Sequence, residues 1–481
     1  MIPLTAAEIA EAVGGRLHNV AGDVIITGTV EFDSREVTPD GLFVALPGLK
    51  VDGHDFAESS GARLTLAARE IDAPAVIVPP VGDANHGAMA LFGDKDGSGA
   101  AVLAALAALA RHVAHRLPRL TVVGVTGSSG KTSTKDLIAQ VIEPMGPIVA
   151  PPGSFNNEIG HPWTVLRADE NTRNLVLELS ARGTGHIRAL TEIAQPRIGV
   201  VLNVGSAHVG QFGSREGIAK AKGELVEALP EDGLAVLNAD DPLVKAMASR
   251  TKARVVFVGE SADAQVRAEN VVLDAEARAS FRLVTPQGDA DVKLALHGPH
   301  HVGNALSAAA VALELGATPA EAAERLSQAK RVSARRMDVT TRPDGVTVVN
   351  DSYNANPESV KAALKSLAEM ARQGGRRSWA VLGTMAELGA EHVTAHDEIG
   401  RLAVRLDINR LVVVGDQARP MHQGAHLEGS WGEESVLVPD VDAAVVLLRA
   451  ELRPGDVVLV KASKSEALWR VADALLQEDA R

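Results

Sequence analysis

The run Val125-Thr126-Gly127-Ser128-Ser129-Gly130-Lys131-Thr132 has the chemistry of a phosphate cradle. It follows an apolar stretch, Leu120 to Val125, and opens into a helical pattern from Lys131 to Ile142. A glycine-rich turn at such a junction presents backbone N–H groups and the positive end of a helix, and both attract phosphate. Gly127 and Gly130 let the backbone come close to the ligand. Lys131 can reach the terminal phosphates, and Thr132 can place its hydroxyl on Mg²⁺. Thr126, Ser128, Ser129 and Ser133 complete the candidate nucleotide contacts. The general pattern asks for glycine where this chain has Val125; the glycine sits one place earlier, at Gly124. The loop points to ATP or GTP and leaves kinase, ligase and motor open.

Further charge follows at the ends of the next apolar runs, where parallel sheets present ligand sites. Glu178 lies within the apolar strand Leu175 to Leu179. A buried carboxylate is costly unless paired or bound to metal, so a Mg²⁺ ligand is favoured over a structural ion pair. His208 closes Asn203-Val204-Gly205-Ser206-Ala207-His208, as a site residue or simply a polar loop residue. Lys220 and Lys222 lie on a helical pattern two residues apart and do not share a face, so at most one points into the site. Tyr353, the only tyrosine, stands inside the polar run Asn350 to Pro357.

These residues have to be positioned by layered α/β structure. The 481-residue chain is long enough for about three domains, and 46% hydrophobic with 23% charged residues is an ordinary globular balance. Aromatics are only 3%, so Ala, Val, Leu and Ile must fill the cores. No cysteine is present, which excludes disulfides and thiolate metal sites. A formal charge of −13 argues against a nucleic-acid partner. The start of the chain shows no secretion pattern, and the Ala-rich run Ala100 to Ala110 is too short to span a bilayer, so a cytoplasmic enzyme without membrane insertion is expected.

Apolar runs alternate with helical patterns after the linker-like segment 93–99, which indicates a parallel sheet covered on both faces. Within it, one helix is expected from about Ser214 to Leu229. Residues 264–296 suit antiparallel strands better, and an Ala-rich helix follows. A second linker lies at about 329–335, after which the alternation resumes, ending in a helix from Lys464 to Leu476.

Taken in order, Gly124 to Thr132, Glu178, Asn203 to His208 and Lys222 resemble the Mur ligases, which build the peptide stem of peptidoglycan by ATP-driven amide synthesis. The resemblance covers nearly the whole chain. It implies three α/β domains: a small UDP-substrate-binding domain over 1–97, a central P-loop ATPase domain with a parallel sheet over 98–332, and a Rossmann-like domain binding the incoming dipeptide over 333–481. Asp33-Ser34-Arg35 and Asp52 to Phe56 look like the UDP-binding part, with Ser34 and Arg35 supplying a donor and a cation. Asn156 and Asn157 match the loop by the substrate channel, Asn304 the residue that holds adenine, and Arg336 the arginine at the last junction.

The resemblance also implies a carbamylated Lys222, which with His208 would hold a second Mg²⁺ beside the one on Thr132 and Glu178. Lys131, Glu178, His208 and Lys222 are then the catalytic set. Asp351-Ser352-Tyr353-Asn354-Ala355-Asn356-Pro357 is similar to members that add D-alanyl-D-alanine to UDP-MurNAc-tripeptide through an acyl phosphate. It puts Asp351 on ATP and Tyr353, Asn354 and Asn356 on substrate. The partners implied are small molecules, with a monomer expected. Three features depart from the family: His301 for Asn, Thr384 for Asp, and the run Ser180 to His186. The rival functions are a related ligase adding a single amino acid or polyglutamate to folate, a P-loop kinase or GTPase, and a non-catalytic UDP-sugar sensor.

Overall fold

The computed structural model describes residues 1–48, 51–80, 94, 96–205, 212–429 and 434–477. Three larger sheets carry the architecture. Near the N-terminus, strands between Arg16 and Ile77 form a five-stranded sheet, parallel except for the edge strand Arg16–His18.

The central sheet has nine strands. Third from one edge lies β1 (Thr121–Thr126), which leads into helix α1 (Lys131–Ile142). The short helix α2 (Gly160–Val165) precedes β2 (Asn174–Glu178), and β3 (Ile198–Val201) precedes α3 (Arg215–Lys222). Strand β1 pairs in parallel with β2 on one side and β3 on the other, so their carboxyl ends share one edge. That arrangement puts the phosphate loop, Glu178 and Asn203 side by side. The strands are nearly continuous Val, Ile and Leu because helices cover both faces.

The alternating segment forms antiparallel strands, as expected, from Val266 to His297. They extend the central sheet through a short parallel pairing of Val258 with Val266. The Ala-rich helix α4 (His301–Glu314) then packs on α1. Buried Ala305, Ala308, Ala309 and Ala312 leave α4 a narrow face, and it shares one apolar core with Leu137, Ile138 and Val141.

The last sheet has six strands. Its strand β4 (Thr347–Asn350) is followed by α5 (Pro357–Gly374), which Asn356 caps with a capping box. Its central β5 (Val457–Lys461) lies between β4 and Ser378–Leu382. The closing helix is shorter than expected, Trp469–Leu476, because Lys464–Glu466 forms a separate 3₁₀ turn ending on Ala467 at φ 50°.

Two further expectations change. The helix expected from Ser214 to Leu229 is two pieces, α3 and Glu224–Glu227, divided at Gly223. A Cβ there would stand 1.9 Å from the Arg250 guanidinium, which donates to Ala219 O and Lys220 O. The first core is also not confined to the N-terminal residues, since it runs from Ile2 to Ala253. The helix Ser98–His115 joins the two parts. It is long and apolar enough to cross a membrane by length and composition, but 56% of that stretch is buried inside the fold.

Leu137, 1% exposed, lies in the layer between α1 and α4. Leu137→Ala is expected to cost about 2–5 kcal/mol, read as a lower denaturant midpoint for the transition that nucleotide protects. An unchanged midpoint would show that this layer does not hold the phosphate helix.

Candidate active site

The phosphate loop is held from behind by its neighbours. The Thr126 hydroxyl donates to Leu179 O at 2.9 Å. The backbone N–H groups of Ser128 and Ser129 donate to Asn203 Oδ1 at 2.9 and 3.0 Å, and Asn203 Nδ2 returns a bond to Ser129 O. Gly130 caps α1 at φ 81°, and a Cβ there would come within 2.9 Å of Asn304 Oδ1. Glycine is therefore required both by conformation and by the adjacent asparagine. Lys131 folds over the loop, donating to Gly127 O at 2.7 Å. Burial holds its pKa below the ordinary lysine value; Glu178 opposes that shift and Arg336 adds to it.

Glu178, 1% exposed, is the convergence point. Its carboxylate accepts from the Thr132 hydroxyl at 3.0 and 3.1 Å, from the Ser154 hydroxyl at 3.0 Å and from Asn156 Nδ2 at 3.0 Å. Asn156 is fixed in turn by the Ser180 hydroxyl, which donates to its backbone and side-chain oxygens. Asn157 plays a different part: its Oδ1 accepts from Gly160 N at 3.0 Å and starts α2. No lysine or arginine among the described residues forms an ion pair with Glu178, although Lys131 lies within its field.

Of the two α3 lysines, Lys220 is exposed and Lys222 is buried, 6% exposed, so they lie on different faces. Burial, with a smaller contribution from Lys131, lowers the Lys222 pKa well below 10.5. His208 lies outside the described residues.

The last sheet reaches the same edge. Asn356 Nδ2 donates to Ser128 O at 3.2 Å while its Oδ1 caps α5. Asp351 pairs with buried Lys461 at 2.6 Å and accepts from Met337 N at 3.1 Å. Lys461 also donates to Asn354 O at 2.9 Å. The Tyr353 ring lies under the Arg336 guanidinium at 4.1 Å. Near Asn304, the His300 and His301 rings stack 4.3 Å apart, and burial lowers both pKa values. A cavity of about 120 Å³ opens there between Ser133, His301 and the strap 330–339.

At the N-terminal sheet, Arg35 is exposed and bonded to Asp33 at 2.6 and 2.9 Å, and Ser34 stands between them. Neither forms a hydrogen bond to the Glu178 cluster. The connection is made instead by Glu31, which accepts from Trp163 Nε1 at 2.9 Å. Glu31, Ser154, Lys135, Asp136, Ser333 and Lys461 were not singled out from the sequence. The available signals were the adjacent charges Lys135-Asp136 in a helix otherwise packed in the core, and Lys461 ending an all-valine-and-leucine strand.

The turn Gly383 to Gly389 borders this region. Thr384 is buried, and Met385 N donates to His396 Nε2 at 2.9 Å. His396 donates from Nδ1 to His392 O at 2.7 Å, so both ring nitrogens are engaged in the neutral form.

Three family models match the chain: "Mur ligase family, catalytic domain" over residues 28–114, "Mur ligase middle domain" over 125–312, and "Mur ligase, glutamate ligase domain" over 335–464. The UDP-N-acetylmuramoyl-tripeptide–D-alanyl-D-alanine ligase of Mycobacterium tuberculosis is 57% identical, over 100% of this chain and 99% of its own. The Escherichia coli enzyme of the same name is 34% identical over 99% of each. Among solved structures, MurF from Acinetobacter baumannii superposes with a TM-score of 0.84 at 27% identity, covering 99% of both chains. MurF from Thermotoga maritima in complex with ADP gives 0.78 at 28% identity, covering 95% of this chain and 99% of its own.

His396 supplies a pH test of the turn. Burial pushes its pKa down to about 4 from 6.5, so between these values the unfolded chain holds a proton that the folded protein excludes. The stability from this group is complete above 6.5 and is lost as pH falls towards about 4. His396→Gln is therefore expected to flatten the fall in denaturant midpoint between neutral and acid pH. An unchanged slope would place the acid sensitivity elsewhere.

Proposed function

This chain belongs to the Mur ligase family, and we propose that it joins D-alanyl-D-alanine to UDP-MurNAc-tripeptide with ATP as the energy source. The observation that carries the proposal is the Glu178 cluster at the mouth of the phosphate loop, met by the Asp351–Pro357 turn through Asn356. A P-loop kinase would give that second contact nothing to do.

Thr132 and Glu178 offer hard oxygen donors around a negative charge, a set that fits Mg²⁺. Among the described residues no group of three or more His, Asp or Glu is arranged to hold a metal ion by itself. That suits an ion which keeps waters and phosphate oxygens as its other ligands. When bound there, Mg²⁺ would neutralise charge on the phosphates.

Loop N–H groups other than those of Ser128 and Ser129, which Asn203 engages, together with Lys131 on leaving Gly127 O, would hold the γ-phosphoryl group for in-line attack. A terminal carboxylate oxygen of the tripeptide bonds to the γ-phosphorus as the bond to ADP breaks. The dipeptide amine then attacks the acyl carbon; the C–N bond forms, the C–O bond breaks, phosphate leaves and the amine loses a proton. Asn156 and Asn157 flank the acyl side, and Tyr353, Asn354 and Asn356 the amine side. Asn304, Arg336 and Asp351 border the nucleotide. Ser34 and exposed Arg35 supply a donor and a cation for the UDP diphosphate. The three sheets suit domains of 1–97, 98–332 and 333–481, working as a monomer on small molecules. ATP and a UDP-linked acceptor are cytoplasmic metabolites, which supports that compartment.

Lys222 is proposed as a carbamate. A buried lysine with a lowered pKa has the free amine that bonds to CO₂ carbon with release of one proton. The product would be an anionic ligand for a second Mg²⁺ together with His208.

Phosphate release from ATP and UDP-MurNAc-tripeptide is expected with D-alanyl-D-alanine and not with single amino acids. Turnover with a single amino acid and none with the dipeptide would overturn the substrate assignment. Glu178→Gln keeps the shape but removes the charge, and is expected to lower kcat by about a hundredfold or more.

A further inference from the structure

Helix α1 carries more than the phosphate loop. One turn beyond Lys131, Lys135 is 1% exposed and Asp136 8%. The Lys135 ammonium donates to Pro151 O at 2.6 Å and Gly153 O at 3.2 Å, and pairs with Asp136 Oδ1 at 2.6 Å. The other Asp136 oxygen accepts from the Ser333 hydroxyl at 2.6 Å and from Ser333 N at 3.2 Å. A buried ion pair gives little net stability, since two charges leave water to form it. This one holds two separate segments against the helix.

The first segment leads directly into Ser154 and Asn156, the donors on Glu178. The second is the strap that carries Arg336. Beyond Ser333 that strap is strained: Arg335 and Met337 take φ of 59° and 49°, a conformation costly to non-glycine residues. Its far side is tied to the last sheet, where Tyr353 N donates to Arg335 O and Met337 N to Asp351. Strain of this kind persists only when the surroundings hold it from both sides. Between the two strained residues stands Arg336, over Tyr353 and close enough to Lys131 to lower its pKa. Its Nε is buried with no hydrogen-bond partner among the described residues.

We infer that Lys135, Asp136 and Ser333 are positioning residues, which clamp the strained strap to the phosphate helix so that Arg336 faces the phosphates of ATP. Asp136 acts through Ser333, and Ser333 acts through Arg336. The inference rests on the ligase reading of the phosphate site for its kinetic consequence, but not for its effect on nucleotide binding.

Asp136→Asn leaves Lys135 buried beside a neutral partner and can fail to fold, so Ser333→Ala, which keeps the ion pair, is the deciding variant. Each variant of the full-length enzyme is titrated with a non-hydrolysable ATP analogue and assayed for phosphate release, with thermal stability recorded. Ser333→Ala is expected to weaken analogue binding and to lower kcat by about ten- to a hundredfold, leaving KM for the UDP substrate unchanged. Ser333→Thr, which retains the hydroxyl, is expected to restore both. In an Arg336→Ala background, Ser333→Ala is expected to cause no further loss. Full additivity of the two, or loss of stability with kcat and analogue affinity intact, would overturn the inference. If the unsubstituted enzyme turned over no acceptor, the ligase reading would fall, and the titration would still decide the clamp.

Discussion

A carboxylate taken out of water must be met by donors or by a cation, and Glu178 imposes that requirement on its whole neighbourhood. It stands at the carboxyl end of β2, beside the phosphate loop, because β1 and β2 run parallel and in register, with Glu178 opposite Val125. Three neutral donors from two segments converge on it: Thr132 from α1, and Ser154 and Asn156 from the loop before α2. They satisfy its hydrogen bonds but leave its charge uncompensated. That is the charge the proposed Mg²⁺ would meet.

Helix α1 distributes that arrangement. Its first turn forms the proposed phosphate site, and its second turn, through the Lys135–Asp136 pair, fixes the loop bearing Ser154 and the strap bearing Arg336. Alanines of α4 pack behind it, so the helix has little room to shift. The last sheet closes the site with Asn356 on Ser128 O and Asp351 on Met337 N. Binding and assembly of the site are consequently linked through one rigid element.

Much of this was legible in the sequence where the signal is local. The helix Lys131–Ile142 has its expected bounds because the loop fixes its start, and the β1 and β2 strands follow from unbroken apolar runs. Helical geometry allowed at most one of Lys220 and Lys222 to point inward, and the fold buries Lys222. Less was legible where a distant residue decides. The helix divides at Gly223, where the Arg250 guanidinium takes Lys220 O and leaves no room for a Cβ. Asp136 reads as an ordinary helix charge until Ser333 is folded against it. Asn356 caps α5 and also reaches Ser128 O, a contact between distant segments that no local pattern announces. His208 lies outside the described residues.

The central claim is that the site activates a carboxylate by passing phosphate to it. UDP-MurNAc-tripeptide labelled with ¹⁸O in its terminal carboxylate, turned over with ATP and D-alanyl-D-alanine, tests this directly. Mass analysis of the released phosphate is expected to show one heavy oxygen, carried over when the acyl C–O bond breaks. Unlabelled phosphate alongside the amide product would contradict the account.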